Sequence, residues 1–309
     1  MSTSKTLSTF QLMQIFPTSE SARVYLESRR WKGKPTCPHC QDETKVISRG
    51  GKRLGYFRCR ICEEEFTVRT GTIFERSHVP LHKWLYAMYL VVTARKGVSS
   101  LQMSKEIGVT QKTSWFMLQR LREACGPDFS KLRGIVEIDE TYIGGLEKNK
   151  HETKKHKAGT GTVGKQALLG MRQRGGKVVV HPVPEATGAI LVPTIAQHVE
   201  LDSVVCTDEH GAYRSLKHVV SHHESVKHTQ KEWTKGFVHT NGIESVWAVL
   251  KRGIHGTFHH VSHKHIGRYA NEFAFRLNEG NVVHDTQDRL DHFVDRAFQH
   301  HITYASLTA

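Results

Sequence analysis

No run of apolar residues in this 309-residue chain approaches the roughly 18 to 20 that a membrane-spanning helix needs, and no helical span is expected. The first residues, MSTSKTLSTFQLMQIF, carry one lysine and lack a small-residue cleavage site after a sustained apolar core. A secretory signal is therefore not expected, and the reading is of a cytoplasmic protein. Basic amphipathic helices and lipidation signals, which would suit an anionic membrane surface, are also missing. Acidic residues are scarce beside basic ones, 30 against 44, which leaves a formal charge of +14, and 22 histidines add to it at lower pH. Such an excess favours a polyanionic partner, with nucleic acid first, because each phosphate contact releases condensed counterions. The length leaves room for two or three domains, and 38% apolar residues can support an ordinary core.

Cysteine is sparse too, and four of its six copies form two pairs, CPHC (Cys37, Cys40) and CRIC (Cys59, Cys62), 18 residues apart. That spacing matches a ribbon in which four thiolates surround one Zn²⁺ tetrahedrally. The residues between and after the pairs, KVISRGGKRLGYFRC and EEEFTV, read as short strands around a Gly-Gly turn. Disulfides are the alternative, and a cytoplasmic setting argues against them. His39 inside the first pair reads as a spectator, and Cys125 and Cys206, without CxxC partners, as buried apolar residues.

Helical signals surround the ribbon. In PTSESARVYLESRRWKGKP, Ser19 is placed to cap a short helix with Val24, Leu26 and Trp31 among its apolar positions. LHKWLYAMYLVVTAR is helical and heavily apolar, with Gly97 beyond it as a stop. SSLQMSKEIGVTQKTSWFMLQRLREAC reads as two helices with Gly108 in the turn. As a helix-turn-helix, its second helix, from Thr110 to Ala124, offers Thr110, Gln111, Lys112 and Thr113 to DNA; an ordinary helical hairpin has the same apolar pattern.

From residue 134 to about 280 the pattern is α/β. GIVEIDETYIGG is a strand leaving through a double-Gly turn, ALLGMRQRGGKVVVHPVP a hairpin, ATGAILVPTIAQHV a helix interrupted near Pro193, and SVVCTDEHGAY a buried strand with an acidic end. Between the first two, KNKHETKKHKAGTGTVGK is a basic, aperiodic loop suited to phosphate contact. Its GTGTVGKQ satisfies GxxxxGK, but Gln166 stands where a P-loop needs Ser or Thr, and no buried strand precedes it.

Asp139 and Asp208 each fall at or just past the end of an expected strand. Turn chemistry alone explains aspartates there, and Glu137, Glu140 and Glu209 compete as carboxylates. HTNGIESVWAVLKRG starts another helix. Asn241 and Glu244 have the N-cap to N3 spacing of a capping box, while two strand-end aspartates with a helical glutamate are what a two-metal phosphoryl-transfer site requires. Ile243, Trp247, Leu250 and Ile254 form a core-facing stripe beside a second one of Glu244, Ala248 and Lys251. Seven residues turn a helix by about 700°, so Lys251 projects within about 20° of Glu244 and roughly 10.5 Å along the axis. A carboxylate on metal and a cation two turns on would grip substrate phosphate together. His239, His259, His260 and His263 crowd the same region as candidates for phosphate contact or proton transfer.

Taken in order, CPHC, CRIC, VRTGTIFERSHVPLHKW, GVTQKTSWFMLQRLREA, VEIDETYIGG, TDEHGAY and TNGIESVWAVLKRGIHGTFHHVSHKHIGRYANEFAFRLN resemble the DDE transposases of bacterial insertion sequences that carry an N-terminal zinc ribbon, the ISXO-like group, distantly related to Mutator-like transposases. The resemblance runs from about Phe16 to Asn278. It implies an RNase H-like catalytic core whose metal ligands are Asp139, Asp208 and Glu244, with Lys251 as the basic residue and Mg²⁺ or Mn²⁺ as cofactor. Some members of the group have Asn at the third position, which makes Asn241 the alternative ligand. Zn²⁺ in the ribbon, double-stranded DNA at transposon ends and target, and a homo-oligomer assembled on DNA complete the expectation.

The expected organisation is an N-terminal helical segment (1–35), a zinc ribbon (36–76), a helix-turn-helix-type region (77–130), an RNase H-like α/β domain (131–280) and a C-terminal helical tail (281–309). In the tail, Leu290, Phe293, Val294 and Phe298 lie at helical spacing, expected to pack on the core or on a second subunit. The expected activity is cleavage at element ends followed by 3′-hydroxyl strand transfer. The alternatives are a non-catalytic DNA-binding regulator or decayed transposase, and a nuclease that does not join ends.

Overall fold

The computed structural model describes residues 5–126, 130–145, 151–154, 161–227, 234–280 and 284–308. The chain divides into two compact units, one formed by residues 1–125 and 279–309 and the other by 126–278.

In the first unit, α1 (Thr9–Ile15) and α2 (Ser19–Trp31) each begin with a capping box, at Ser8 and Thr18. Ser19, expected to be the cap of α2, is instead its first helical residue. Its hydroxyl accepts the Leu81 N–H at the start of α3 (Leu81–Thr93). Leu26 and Trp31 are buried as expected, but Val24 is exposed, because it falls on the opposite side of α2 from Ala22 and Leu26. Strands β1 (Val46–Ser48), β2 (Phe57–Cys59) and β3 (Glu65–Phe66) form an antiparallel sheet, and Trp31 packs edge-on against Phe57 and Phe66. α4 (Ser100–Ile107) closes at Gly108, and α5 (Gln111–Ala124) opens with Thr110 accepting the Thr113 N–H. Gln111 and Lys112 are exposed on the first turn of α5.

The tail forms α9, here following α8 (His263–Glu279) of the second unit; it spans Thr286–Gln299, and α10 (Tyr304–Thr308) ends the described chain. Leu290, Phe293 and Val294 of α9 are fully buried. Arg29 on α2 pairs with Asp291 and Asp295, and the Tyr25 hydroxyl donates to Asp291, so the tail docks on the N-terminal helices of its own unit.

The second unit is built on a five-stranded sheet ordered β6-β5-β4-β7-β8: β4 (Ile135–Ile143), β5 (Gln166–Gln173), β6 (Val178–Val183), β7 (Val204–Thr207) and β8 (His222–Ser225). β4, β5 and β6 are antiparallel, while β4, β7 and β8 run parallel. On one face Val136 and Ile138 pack with Leu191 and Ile195 of α6 (Gly188–His198) and with Tyr213 and Leu216 of a 3₁₀ segment. On the other, Leu168, Val178 and Val180 pack with Ile243, Trp247, Leu250 and Ile254 of α7 (Asn241–Gly253) and with Ile266 and Phe273 of α8. α6 runs unbroken through Pro193, contrary to the expected interruption.

Half of the basic loop, 148–150 and 155–160, lies outside the described residues. Its end, Gly164–Lys165, leads straight into strand β5; a P-loop would lead into a helix there, and the ATPase reading falls.

Gly170 of β5 lies opposite Asp139 in register, and a Cβ there would come within 2.4 Å of the Trp247 ring and 2.7 Å of Ile243. The missing side chain lets α7 settle onto the sheet. Gly170→Ala is expected to displace Trp247 and to destabilise the protein by about 1–3 kcal/mol, as overpacking does. Chemical denaturation followed by tryptophan emission checks this: an unchanged midpoint and spectrum would show that the contact is slack.

Candidate functional site

Asp139 and Asp208 meet where two parallel strands part. β4 pairs with β7 at Ile135↔Val204, Val136↔Val205 and Glu137↔Cys206. Carrying that register on by two residues sets Asp139 beside Asp208, the first residue after β7. The expected position of Asp139 at a strand end needs correction. It lies in the middle of β4, because pairing with β5 carries β4 on to Ile143 after β7 has ended. What ends at Asp139 is the neighbour, and that exposes the strand edge.

The Asp139 carboxylate is held by the indole of Trp247, whose Nε1–H donates to Oδ2 at 2.8 Å. Asp208 Oδ1 accepts the His210 N–H at 3.0 Å, an Asx turn that bends the chain away from the sheet. Burial first, then the charge of Glu140, and to a smaller extent that of Asp208, push the Asp139 carboxyl up to about 7, against the opposing pull of the Trp247 hydrogen bond.

The competing carboxylates separate by strand face. Glu140 points to the other side of β4 from Asp139, where the Tyr213 hydroxyl donates to it and His210 Nδ1 lies 3.6 Å away. Burial and the Glu140 charge push the Tyr213 phenol well above its ordinary range. Glu137 shares the Asp139 face and is only 2% exposed. Its Oε1 accepts from Arg174 Nε (3.0 Å) and Nη2 (2.9 Å), and its Oε2 from the Ile243 N–H (3.0 Å).

The opening of α7 also differs from expectation. Thr240 is the N-cap, Asn241 the first helical residue, and Glu244 one position beyond the N3 place of a capping box. The Glu244 side chain takes a hydrogen bond at 3.0 Å from the Thr240 hydroxyl. Asn241, Glu244, Ala248 and Lys251 are exposed, while Ile243, Trp247, Leu250 and Ile254 are buried, so both stripes stand where the periodicity put them. Glu244 and Lys251 flank Trp247, whose indole holds Asp139, at i−3 and i+4 along α7. Asp139, Asp208 and Glu244 do not form a closed three-carboxylate cage. Among the described residues, the one group of three or more candidate ligands whose atoms all lie within 4.8 Å of one another is the cysteine cluster. His239 Nδ1 is 3.3 Å from Glu137 Oε1, which ties it to that carboxylate; His259, His260 and His263 are exposed.

Cys37, Cys40, Cys59 and Cys62 form that cluster. Sγ–Sγ separations of 3.6 Å (Cys37 to Cys62) and 3.5 Å (Cys40 to Cys59) approach the edge of about 3.8 Å that Zn–S bonds of about 2.3 Å give a tetrahedron. Each pair ends in a left-handed residue, Gln41 (φ 62°) and Glu63 (φ 60°), and the Ile61 N–H points at Cys59 Sγ at 3.4 Å. The set fits Zn²⁺. His39 is outside it, and Cys125 and Cys206 are buried as expected.

Because Asp139 holds its proton more tightly in the folded chain (about 7) than at its ordinary 3.8, its contribution to stability is complete below about pH 4 and is lost as pH rises through about 7. Asp139→Asn is expected to match wild type at pH 4 and, without divalent metal, to exceed it at pH 8 by on the order of a few kcal/mol. Urea unfolding at the two pH values measures this. A variant-to-wild-type difference that ignores pH would contradict it.

Comparison with known proteins identifies the family. Residues 131–278 match the ISXO2-like transposase domain and residues 17–65 the transposase zinc-ribbon domain. A protein in transposable element ISH50 of Halobacterium salinarum is 31% identical over 251 residues, 78% of this chain and 84% of that protein. A transposase-like protein of Haemophilus influenzae is 28% identical over 106 residues, 34% of this chain and 85% of its own length. By domain match and by similarity to an insertion-element protein over 78% of this chain, the chain belongs to the ISXO2-like transposases.

Proposed function

We propose that the second unit is an RNase H-like catalytic core that cuts DNA at the ends of an insertion sequence and joins them to a target. The convergence of Asp139 and Asp208 at the open edge between β4 and β7 carries this reading. A mixed sheet of three antiparallel and two parallel strands, covered by helices on both faces, supports it.

Asp139 and Asp208 are hard oxygen donors suited to Mg²⁺ or Mn²⁺, with Glu244 of α7, or Asn241, as the third ligand. A bound divalent ion supplies charge neutralisation at phosphorus and lowers the pKa of the attacking hydroxyl. The reaction has two displacements. Water attacks phosphorus at the element end, the P–O3′ bond breaks, and a free 3′-hydroxyl and a 5′-phosphate result; that 3′-hydroxyl then attacks a target phosphodiester, breaking its P–O3′ bond. In both, Trp247 keeps the Asp139 carboxylate in one orientation, and Lys251 contacts the substrate phosphate. Beyond the N-terminal helical segment (1–35), the ribbon (36–76) and the helical region (77–130) bind transposon ends, with Thr110, Gln111, Lys112 and Thr113 of the α5 N-terminus at the DNA. Residues 131–280 carry the chemistry, and the protein works in the cytoplasm as a homo-oligomer on DNA. Among the described residues no helix is long and apolar enough to cross a membrane, and none is required.

Purified protein with Mg²⁺ or Mn²⁺ and labelled DNA ending in the element's own repeats tests the proposal. Asp139→Asn, Asp208→Asn and Glu244→Gln are each expected to bind DNA as wild type does while losing roughly 10³-fold or more in cleavage and joining, the scale of losing a principal electrostatic group. Full activity of Glu244→Gln with loss in Asn241→Ala would move the third ligand to Asn241. Cutting without joining would make the protein a nuclease, and binding without either a regulator.

A further inference from the structure

Glu137 has no part in the two displacements, yet it is among the most completely enclosed charged side chains of the second unit. We infer that Glu137, held by Arg174, is a positioning residue that sets the longitudinal register of α7 against β4 and thereby the placement of Glu244 or Asn241 relative to Asp139 and Asp208. The inference rests on the catalytic reading above.

Four observations carry it. First, α7 has no side-chain cap of its own: Thr240 sits at the N-cap with φ −115° and ψ 11° and makes no capping hydrogen bond. The Glu137 carboxylate, 106 residues away in sequence, accepts the Ile243 N–H instead and puts negative charge at the positive end of a 13-residue helix.

Second, the fit is steric as well as electrostatic. A Cβ on Gly242 would lie 2.4 Å from Glu137 Oε2, so the carboxylate reaches the helix end only because residue 242 is glycine.

Third, the clamp extends into β5 and the turn after it. Arg172 Nη1 donates to Gly242 O and to Ser245 Oγ (2.8 Å). Arg174 donates to Glu137, to Phe237 O (2.8 Å) and to His239 O (3.4 Å), which fixes the segment leading into α7.

Fourth, two spacings match. Glu137 and Asp139 are alternate residues on one face of β4, about 6.6 Å apart at a rise of about 3.3 Å per residue. Their partners on α7, the Ile243 N–H and the Trp247 indole, are four residues apart, about 6 Å along the helix. Two polar contacts with matched spacing, added to the apolar packing of α7 on the sheet, fix where along β4 the start of the helix sits. Trp247 alone orients Asp139, and Glu137 adds the second point.

Stability alone is a poor reason for this pair, since apolar residues of similar volume often replace a buried ion pair without loss. The test uses that. Three full-length variants are compared with wild type: Glu137→Gln, the charge-free double Glu137→Met/Arg174→Met, and Gly242→Ala, which keeps both charges and displaces the carboxylate. The readouts are thermal midpoint, affinity for element-end DNA, cleavage and joining rates, and Mn²⁺ affinity by water-proton relaxation with the ribbon loaded with zinc.

The expected result is DNA affinity within about twofold of wild type, a rate loss of roughly 10²-fold in all three variants, as a displacement of about 1 Å produces, and Mn²⁺ binding weakened by about tenfold or more. In the double variant the midpoint returns towards wild type while rate and Mn²⁺ affinity do not. Recovery of both along with the midpoint overturns the proposal and leaves the pair a structural one, as does wild-type Mn²⁺ affinity in Gly242→Ala. Should the wild type bind Mn²⁺ yet neither cut nor join, the catalytic reading fails while the Mn²⁺ comparison still decides the role of Glu137. A wild type that binds no Mn²⁺ at Asp139 and Asp208 removes the site to be positioned and overturns both.

Discussion

Parallel pairing between β4 and β7 stops at Glu137 and Cys206, and β4 continues on the support of β5 alone. A strand edge released in this way, in the middle of an otherwise paired sheet, is rigid on one side and open on the other. Asp139 and Asp208 stand at the opening, close enough to repel, and burial raises the cost of ionising Asp139. The surrounding core holds the two carboxylates together against that repulsion. α7 packs beside it: its apolar stripe is buried against β5, β6 and α8, and its Trp247 indole reaches the Asp139 carboxylate.

The first unit meets a different constraint. The ribbon's three strands are too short to enclose a core, and the cysteine cluster at one end and the Trp31, Phe57 and Phe66 rings at the other tie them down. The cysteine cluster and the aromatic packing sit at opposite ends of the same strand, β2, which carries both Phe57 and Cys59. The C-terminal helix α9 is held to α2 by Arg29, Asp291 and Asp295, so the last part of the chain completes the unit that the first part begins.

Much of this was legible in the residues. Two CxxC pairs define their own cluster because thiolate chemistry and knuckle geometry are local, and the α7 stripes follow from a 3.6-residue period that packing against the sheet leaves intact. The resemblance to insertion-sequence transposases rested on ordered motifs and agrees with the domain matches. What stayed hidden depends on partners far along the chain. Asp139 looked like a strand end because nothing in VEIDETYIGG tells that β4 outlasts its neighbour. Asn241 looked like a cap because the true N-terminal acceptor, Glu137, comes from another element. A clue was present: a glutamate inside IVEID, among apolar residues, needs a buried partner, and RQRGG carries the arginine 37 residues further on. The helix through Pro193 was misjudged because whether a helix tolerates a proline is settled by tertiary packing.

Iron-directed cleavage of the polypeptide tests the central claim most directly. With zinc held in the ribbon, Fe²⁺ replacing Mg²⁺ in the presence of ascorbate and peroxide cuts backbone close to the bound metal. The account predicts scission around residues 139 and 208 and at the start of α7 around 241–244, suppressed by excess Mg²⁺ and abolished by Asp139→Asn or Asp208→Asn. Scission confined to other parts of the chain, such as the exposed His259, His260 and His263, or left unchanged by those two substitutions, would contradict it.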